Sequence, residues 1–209
     1  ESFVERGAGA HGIFVILEDG SSFFVLKELA DQYGLQPGAD WDPAELRQLS
    51  EESQMRSARD RAYALLARRE HSSGQLEEKL RSRGFSEDTI GRTLAEMQDS
   101  GALSDRRFAV EWLRTRLRRN PEGRSVLRAG LRKRGVSNAI SEAALDALEE
   151  EEPERVQSAP DRALERIRRR NPSDDAQKLT EKMLRRGFSL SVTRGALARA
   201  GFGAGDEGP

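Results

Sequence analysis

Leu80-Arg81-Ser82-Arg83-Gly84-Phe85-Ser86 decides the fold, because the phrase returns as Leu131-Arg132-Lys133-Arg134-Gly135-Val136-Ser137 and as Met183-Leu184-Arg185-Arg186-Gly187-Phe188-Ser189. The three glycines stand 51 and 52 residues apart, which marks three copies of one structural unit. Each phrase reads as a corner between two helices. The basic run ends the first helix, the glycine takes the left-handed conformation just past it, and the serine caps the next. The residue after the glycine should touch the side chain at the third position from the helix end. That pairs Phe85 with Leu80, Val136 with Leu131 and Phe188 with Met183.

Leucines keep the same register around each corner. Leu76, Leu127 and Leu179 lie eight residues before the glycine, and Leu94, Leu145 and Leu197 lie ten after it. Upstream of each corner a further helix is expected: Ala58, Ala62, Leu65 and Leu66 in the first copy, Phe108, Trp112 and Leu113 in the second, Leu164 and Ile167 in the third. The first of these helices stops near Glu70-His71, and Ser72 with Gln75 has the pattern of a capping box for the next. Asn120-Pro121 and Asn171-Pro172 break the later copies at the matching place. The fold class is therefore mainly α: three tandem three-helix repeats, expected to form an elongated array.

The N-terminal segment differs. Ile13 to Leu17 and Ser22 to Leu26 are short apolar runs split by Asp19-Gly20, which predicts a β-hairpin. A short helix follows around Lys27 to Tyr33, and Asp42-Pro43 starts another as cap and first helical residue. Trp41 is read as the residue that seats the hairpin, since large aromatics are mostly buried. Residues 1–12, rich in glycine and alanine, are expected to fray. The expected domains are 1–53 for the hairpin module, 54–103 and 104–152 for the first two repeats, and 153–209 for the third with its tail.

The net charge of −1 conceals a strong asymmetry. Residues 1–53 carry three basic and eleven acidic side chains, whereas 54–148 carry twenty basic against thirteen acidic, and 155–205 twelve against five. An anionic partner would thus meet the repeats and not the N-terminus. Between the second and third repeats lies Glu149-Glu150-Glu151-Glu152-Pro153-Glu154, whose mutual repulsion predicts a fraying helix end or hinge.

Several classes of chemistry are unsupported. There is no cysteine, and the two histidines, His11 and His71, have no ligand spacing and are expected at the surface. No phosphate-binding glycine loop or catalytic constellation is visible, so no cofactor, no metal and no enzymatic activity are expected. No apolar run approaches the roughly 20 residues that span a bilayer. With no cysteine and no signal-peptide pattern, a monomer in the cytoplasm is expected. The positive feature is arginine, a side chain suited to bidentate contacts with phosphates and carboxylates. The second repeat alone carries Arg114, Arg116, Arg118, Arg119, Arg124, Arg128, Arg132 and Arg134.

Leu66-Ala67-Arg68-Arg69-Glu70-His71-Ser72, then Lys79-Leu80 and Gly84-Phe85, then Gly101-Ala102-Leu103-Ser104-Asp105 with Arg107-Phe108-Ala109, resemble the RecX family of bacterial recombination regulators. Gly123-Arg124, Leu131-Arg132 and Arg134-Gly135-Val136 continue the likeness, which is specific over 58–148 and looser over 161–201. Two departures stand out. Gly130 occupies a place that is usually acidic, and Asn120-Pro121 a stretch that is commonly basic or glycine-rich. The resemblance implies a protein that lies in the groove of the RecA filament and inhibits its ATPase, strand-exchange and repressor-cleavage activities, in recombination, DNA repair and the SOS response. DNA, single- or double-stranded, would be a weaker partner or one met through RecA. Arg69, Arg114, Arg118, Arg124, Arg128, Arg132 and Arg134 are the candidate contacts, bridging filament subunits or blocking the growing end. The alternative is a direct DNA-binding protein with no recombinase partner.

Overall fold

The computed structural model describes the backbone of residues 4–5 and residues 12–38 and 40–202 in full. His11 and most of the segment expected to fray lie outside these residues. Among them are three strands, β1 (Val4–Glu5), β2 (Gly12–Ile16) and β3 (Ser22–Leu26), and eleven helices. The helices are α1 (Lys27–Gln32), α2 (Pro43–Leu66), α3 (Ser73–Arg81), α4 (Glu87–Asp99), α5 (Asp105–Arg119), α6 (Arg124–Arg132), α7 (Asn138–Glu151), α8 (Pro153–Gln157), α9 (Ala159–Arg170), α10 (Ala176–Arg185) and α11 (Leu190–Arg199). The chain divides into two compact units: Glu1–Glu70 with Leu76–Leu103, and His71–Gln75 with Ser104–Pro209.

In the first unit β2 and β3 form the expected antiparallel hairpin, with Phe14 opposite Phe24 and Ile13 opposite Val25. β1 adds a third strand to β2, too short to show a period in sequence. Val25, Leu29, Ala30 and Leu49 are buried together, so α1 and the first half of α2 cover the sheet. Ser53 ties the layers: its hydroxyl donates to Leu49 O at 2.8 Å and accepts from Leu26 N at 3.0 Å. Trp41 stands outside that core, half-buried beside Tyr33 and Leu49. Asp42 accepts from Ala44 N at 2.8 Å and Pro43 opens the helix, as the sequence indicates.

α2 then runs unbroken for 24 residues, straight through the 53/54 boundary. At 1.5 Å per residue it is about 36 Å long. Its second half buries Ala58 and Ala62 against Leu76, Leu80, Ile90, Met97 and Leu103, the core of the first repeat. One helix therefore serves two cores.

The second unit contains α5–α7 and α9–α11, two three-helix repeats sharing one continuous core from Phe108 to Leu197. All three corners take the expected form. Gly84, Gly135 and Gly187 have φ of 85°, 79° and 84°, a region L-residues avoid. Ser86, Ser137 and Ser189 accept from Thr89 N, Ile140 N and Val192 N at 3.2–3.3 Å. Val136 N and Phe188 N return to Leu131 O and Met183 O, closing the left-handed turn. Leu80, Leu131 and Met183 beneath the corners are fully buried, each worth roughly 1.5–3 kcal/mol of transfer free energy.

Two local expectations need correction, and a third is made specific. His71 is buried, 2 % exposed, although its sequence context predicts a surface residue. The capping box at Ser72 is half made: Ser72 accepts from Gln75 N at 3.2 Å, but Gln75 Oε1 makes no return bond. The acidic run 149–154 forms the end of α7 and the start of α8, with Glu152 between them breaking the helix at φ −135° and ψ 57°. Its repulsion is offset because Glu151 and Glu152 hold Arg114, and Glu152 also holds Arg155 at 2.6 Å.

Candidate partner-binding surface

Among the described residues no cluster of His, Asp or Glu could hold a metal ion, and no helix is long and apolar enough to cross a membrane. The chemistry to account for is that of the arginines.

α6 begins with Arg124, a cation at the positive end of the helix dipole, after Gly123, which offers no capping side chain. Carboxylates from α7 compensate. Glu142, Asp146 and Glu149 share one face of α7 and converge on Arg124 at 2.7, 2.5 and 3.7 Å. Arg128, one turn on, binds Glu142 at 2.8 Å. The bonds from Arg124 and then Arg128 hold the Glu142 carboxyl below its ordinary pKa, and Asp146 followed by Glu142 raises that of Arg124. Arg124 also stands at the lip of an apolar cleft of about 470 Å³ floored by Leu127, Leu148 and Phe188.

The remaining candidates separate by environment. Arg114 is half-buried and held by Glu111, Glu151 and Glu152, with Glu111 contributing most to its raised pKa. Arg134 lies over the Trp112 ring at 4.7 Å and donates to Gly130 O at 2.7 Å. Burial, and secondly Arg116, lower its pKa. Trp112 explains the departure at Gly130, because a Cβ there would lie 2.5 Å from the indole edge. Arg69 is exposed after the end of α2 and donates to Glu70 O. Arg118 and Arg132 are exposed, and their side chains have no ion pair or hydrogen bond among the described residues. The structure thus brings Arg124 and Arg128 together, but over their own carboxylates.

A second cationic surface lies at the ends of α5 and α9. Arg162 of α9 donates to Leu117 O at 3.4 Å and Arg166 to Arg119 O, so arginines of α9 satisfy the terminal carbonyls of α5. The last turns of the two helices carry Arg116, Arg118, Arg119 and Arg168, Arg169, Arg170. Arg168 stacks on Phe202 at 5.1 Å and Arg169 pairs with Glu165. Arg118, Arg119 and Arg170 are exposed with side chains unengaged among the described residues. Sequence reasoning passed over this pairing. The signal was a repeated phrase, Arg118-Arg119-Asn120-Pro121 and Arg169-Arg170-Asn171-Pro172, in which each asparagine ends a helix. Behind it a polar chain sets the first helix end: buried Glu122 accepts from Arg116 and Asn120 at 2.7 Å, and Asn120 accepts from Arg186 at 3.1 Å.

Comparison with known proteins agrees with this architecture. The model of the RecX first three-helix domain matches residues 58–97, and that of the RecX second three-helix domain matches 104–145. Regulatory protein RecX of Treponema pallidum (strain Nichols) is 39 % identical over 137 residues, 66 % of this chain and 81 % of that protein. The same-named protein of Chromohalobacter salexigens is 37 % identical over 151 residues, 71 % and 95 % of the two chains. A crystal structure of regulatory protein RecX superposes with a TM-score of 0.68 at 18 % identity, covering 94 % of this chain and 97 % of that one. RecX from Lactobacillus salivarius gives 0.61 at 21 % identity over 70 % and 96 %. These two likenesses speak for the fold alone. With both domain models matched in order and relatives above 30 % identity covered over most of their length, this chain belongs to the RecX family of regulatory proteins.

Proposed function

We propose that this protein regulates the RecA recombinase by binding its nucleoprotein filament along the groove, suppressing ATP hydrolysis, strand exchange and repressor cleavage. The observation that supports the reading is the arginine-rich ends of α5 and α9, where Arg118, Arg119 and Arg170 are exposed with no carboxylate partner among the described residues. Such side chains keep their full attraction for phosphate or acidic protein surface. Arg124 and Arg128 would first have to leave Glu142, Asp146 and Glu149. The role is steric and electrostatic, with no catalytic step, and suits a cytoplasmic monomer.

The test is RecA ATPase activity on single-stranded DNA with this protein titrated in. Inhibition is expected from the wild type, with at least a tenfold higher half-inhibitory concentration for Arg118→Ala/Arg119→Ala/Arg170→Ala at unchanged helical content. Unaltered inhibition by that triple variant removes the surface from the reading. Direct DNA binding without RecA is the second reading, favoured by the same three guanidiniums, which have no ion pair among the described residues. It requires affinity for DNA alone whose logarithm falls with log salt at about −0.7 per phosphate contacted on single strands.

A further inference from the structure

Within the second unit the same joint occurs twice. His71–Gln75 leads into α3, and there Ser72 Oγ donates to Arg134 O while Gly74 lies against Gly135, with the position of a Gly74 Cβ 2.8 Å from Gly135 Cα. Fifty-one residues on, at the start of α6, Gly123 N donates to Arg186 O at 2.8 Å and Ser125 Oγ to Gly187 O at 3.1 Å. A Cβ on Gly123 would strike Gly187 O. In each joint the cap and second residues of a middle helix are one serine and one glycine, in opposite orders. The serine hydroxyl bonds a corner carbonyl, and the glycine lets two backbones meet.

Each half of the joint also occurs once unpaired. The corner at Gly84 has the same left-handed backbone and the same serine cap as the others, yet among the described residues nothing lies within 4 Å of where its Cβ would be. At the other end, the cap and second positions of α10 are Asp175 and Gln177. Asp175 caps its own helix, accepting from Lys178 N at 2.8 Å. It is a better cap than the glycine that begins α6, and among the described residues no further corner follows to require a small residue there.

We infer that Asp175 and Gln177 are a stop, keeping α10 of one copy off the open Gly84 corner of another, which would otherwise continue the joint head to tail. Heterologous contacts of this kind propagate without closing, so a tandem protein needs such a device at one end. The side chains act by bulk: no close backbone approach is possible with a Cβ on either residue where the joints tolerate one only as serine.

The test is sedimentation velocity over a range of protein concentrations with the full chain. Asp175→Ser/Gln177→Gly copies the first joint and keeps a capping hydroxyl, and it should associate with concentration to at least twice the wild-type mass. Adding Gly84→Asn, which tolerates the left-handed backbone but places a Cβ in the gap, should restore the wild-type mass. Should the first variant lose helical signal by circular dichroism, Asp175→Gly/Gln177→Ser copies the second joint and takes its place. The inference is overturned by variants that keep the wild-type mass at every concentration. It is equally overturned by association that survives Gly84→Asn, or by wild-type protein whose own association Gly84→Asn abolishes.

Discussion

Replacing each corner glycine by asparagine separates two demands that the glycines meet. All three positions need positive φ, which costs an ordinary L-residue roughly 1–2 kcal/mol and asparagine less. Only two also need an absent side chain. An added Cβ at Gly135 would lie 2.7 Å from Gly74 Cα, and at Gly187 2.7 Å from Ser125 Oγ and 2.8 Å from Val126 N, whereas at Gly84 it meets nothing among the described residues. Forcing atoms into such a packed contact costs about 1–3 kcal/mol, and a joint hydrogen bond lost adds about 1 kcal/mol. Gly84→Asn should therefore cost under about 1 kcal/mol, and Gly135→Asn or Gly187→Asn about 3 kcal/mol. The chain carries one tryptophan in each unit, Trp41 and Trp112, so urea unfolding followed by fluorescence can report the units separately when the other is changed to phenylalanine. With a slope of about 2 kcal/mol/M, the Trp112 midpoint should fall by about 1.5 M for the two inner corners and the Trp41 midpoint by less than about 0.5 M for Gly84→Asn. Equal losses at the three corners would refute the assignment of Gly135 and Gly187 to backbone contact.

Thr93 Oγ1 is buried without a hydrogen-bond partner among the described residues, while Ala144 and Ala196 hold the same register in the other repeats. Thr93→Ala should raise stability by about 1 kcal/mol, read as a higher urea midpoint of the Trp41 transition. The folded-state pKa of Glu142 is lowered by Arg124 and Arg128, so its contribution is full above the usual glutamate pKa of about 4.3 and is lost as the pH falls through the lowered value. Stability of the second unit measured from pH 6 down to 2 should show this acid-side loss, and Glu142→Gln should flatten that part of the curve.

What could be read from sequence was what depends on neighbours in the chain. A left-handed glycine, a serine cap two residues on and an apolar side chain between them are local requirements, and the three corners follow from them. The hairpin is legible for the same reason. The pairing of arginines was not legible, because Arg124 meets Glu142 and Asp146 from 18 and 22 residues away, across a corner whose angle sets the encounter. Nor could a chain pattern show that α2 would continue past Ser53, since a helix shared by two cores keeps one period while changing the partner it faces. Gly74 and Gly123 look like ordinary helix-start residues until the corner each one touches is in place. Within the arginine-rich repeats, the candidate surface is accordingly set by which arginines have no acid opposite them among the described residues.

The joint between Ser72 and Arg134 also orders events during synthesis. The two residues are 62 apart in the chain, so at about 5–20 residues per second the serine leaves the ribosome roughly 3–12 s before its acceptor. Over that interval Leu76–Leu103 can complete the first unit, while His71–Gln75 belongs to a unit that does not yet exist. The start of α3 is thus a waiting end on the nascent chain, held in place by the rest of its helix and finished only when the second corner emerges. Pulse proteolysis of stalled chains should find a cut near Gly74 in those exposed outside the ribosome only as far as Leu103, and protection there once Val136 and its flanking helices are exposed as well.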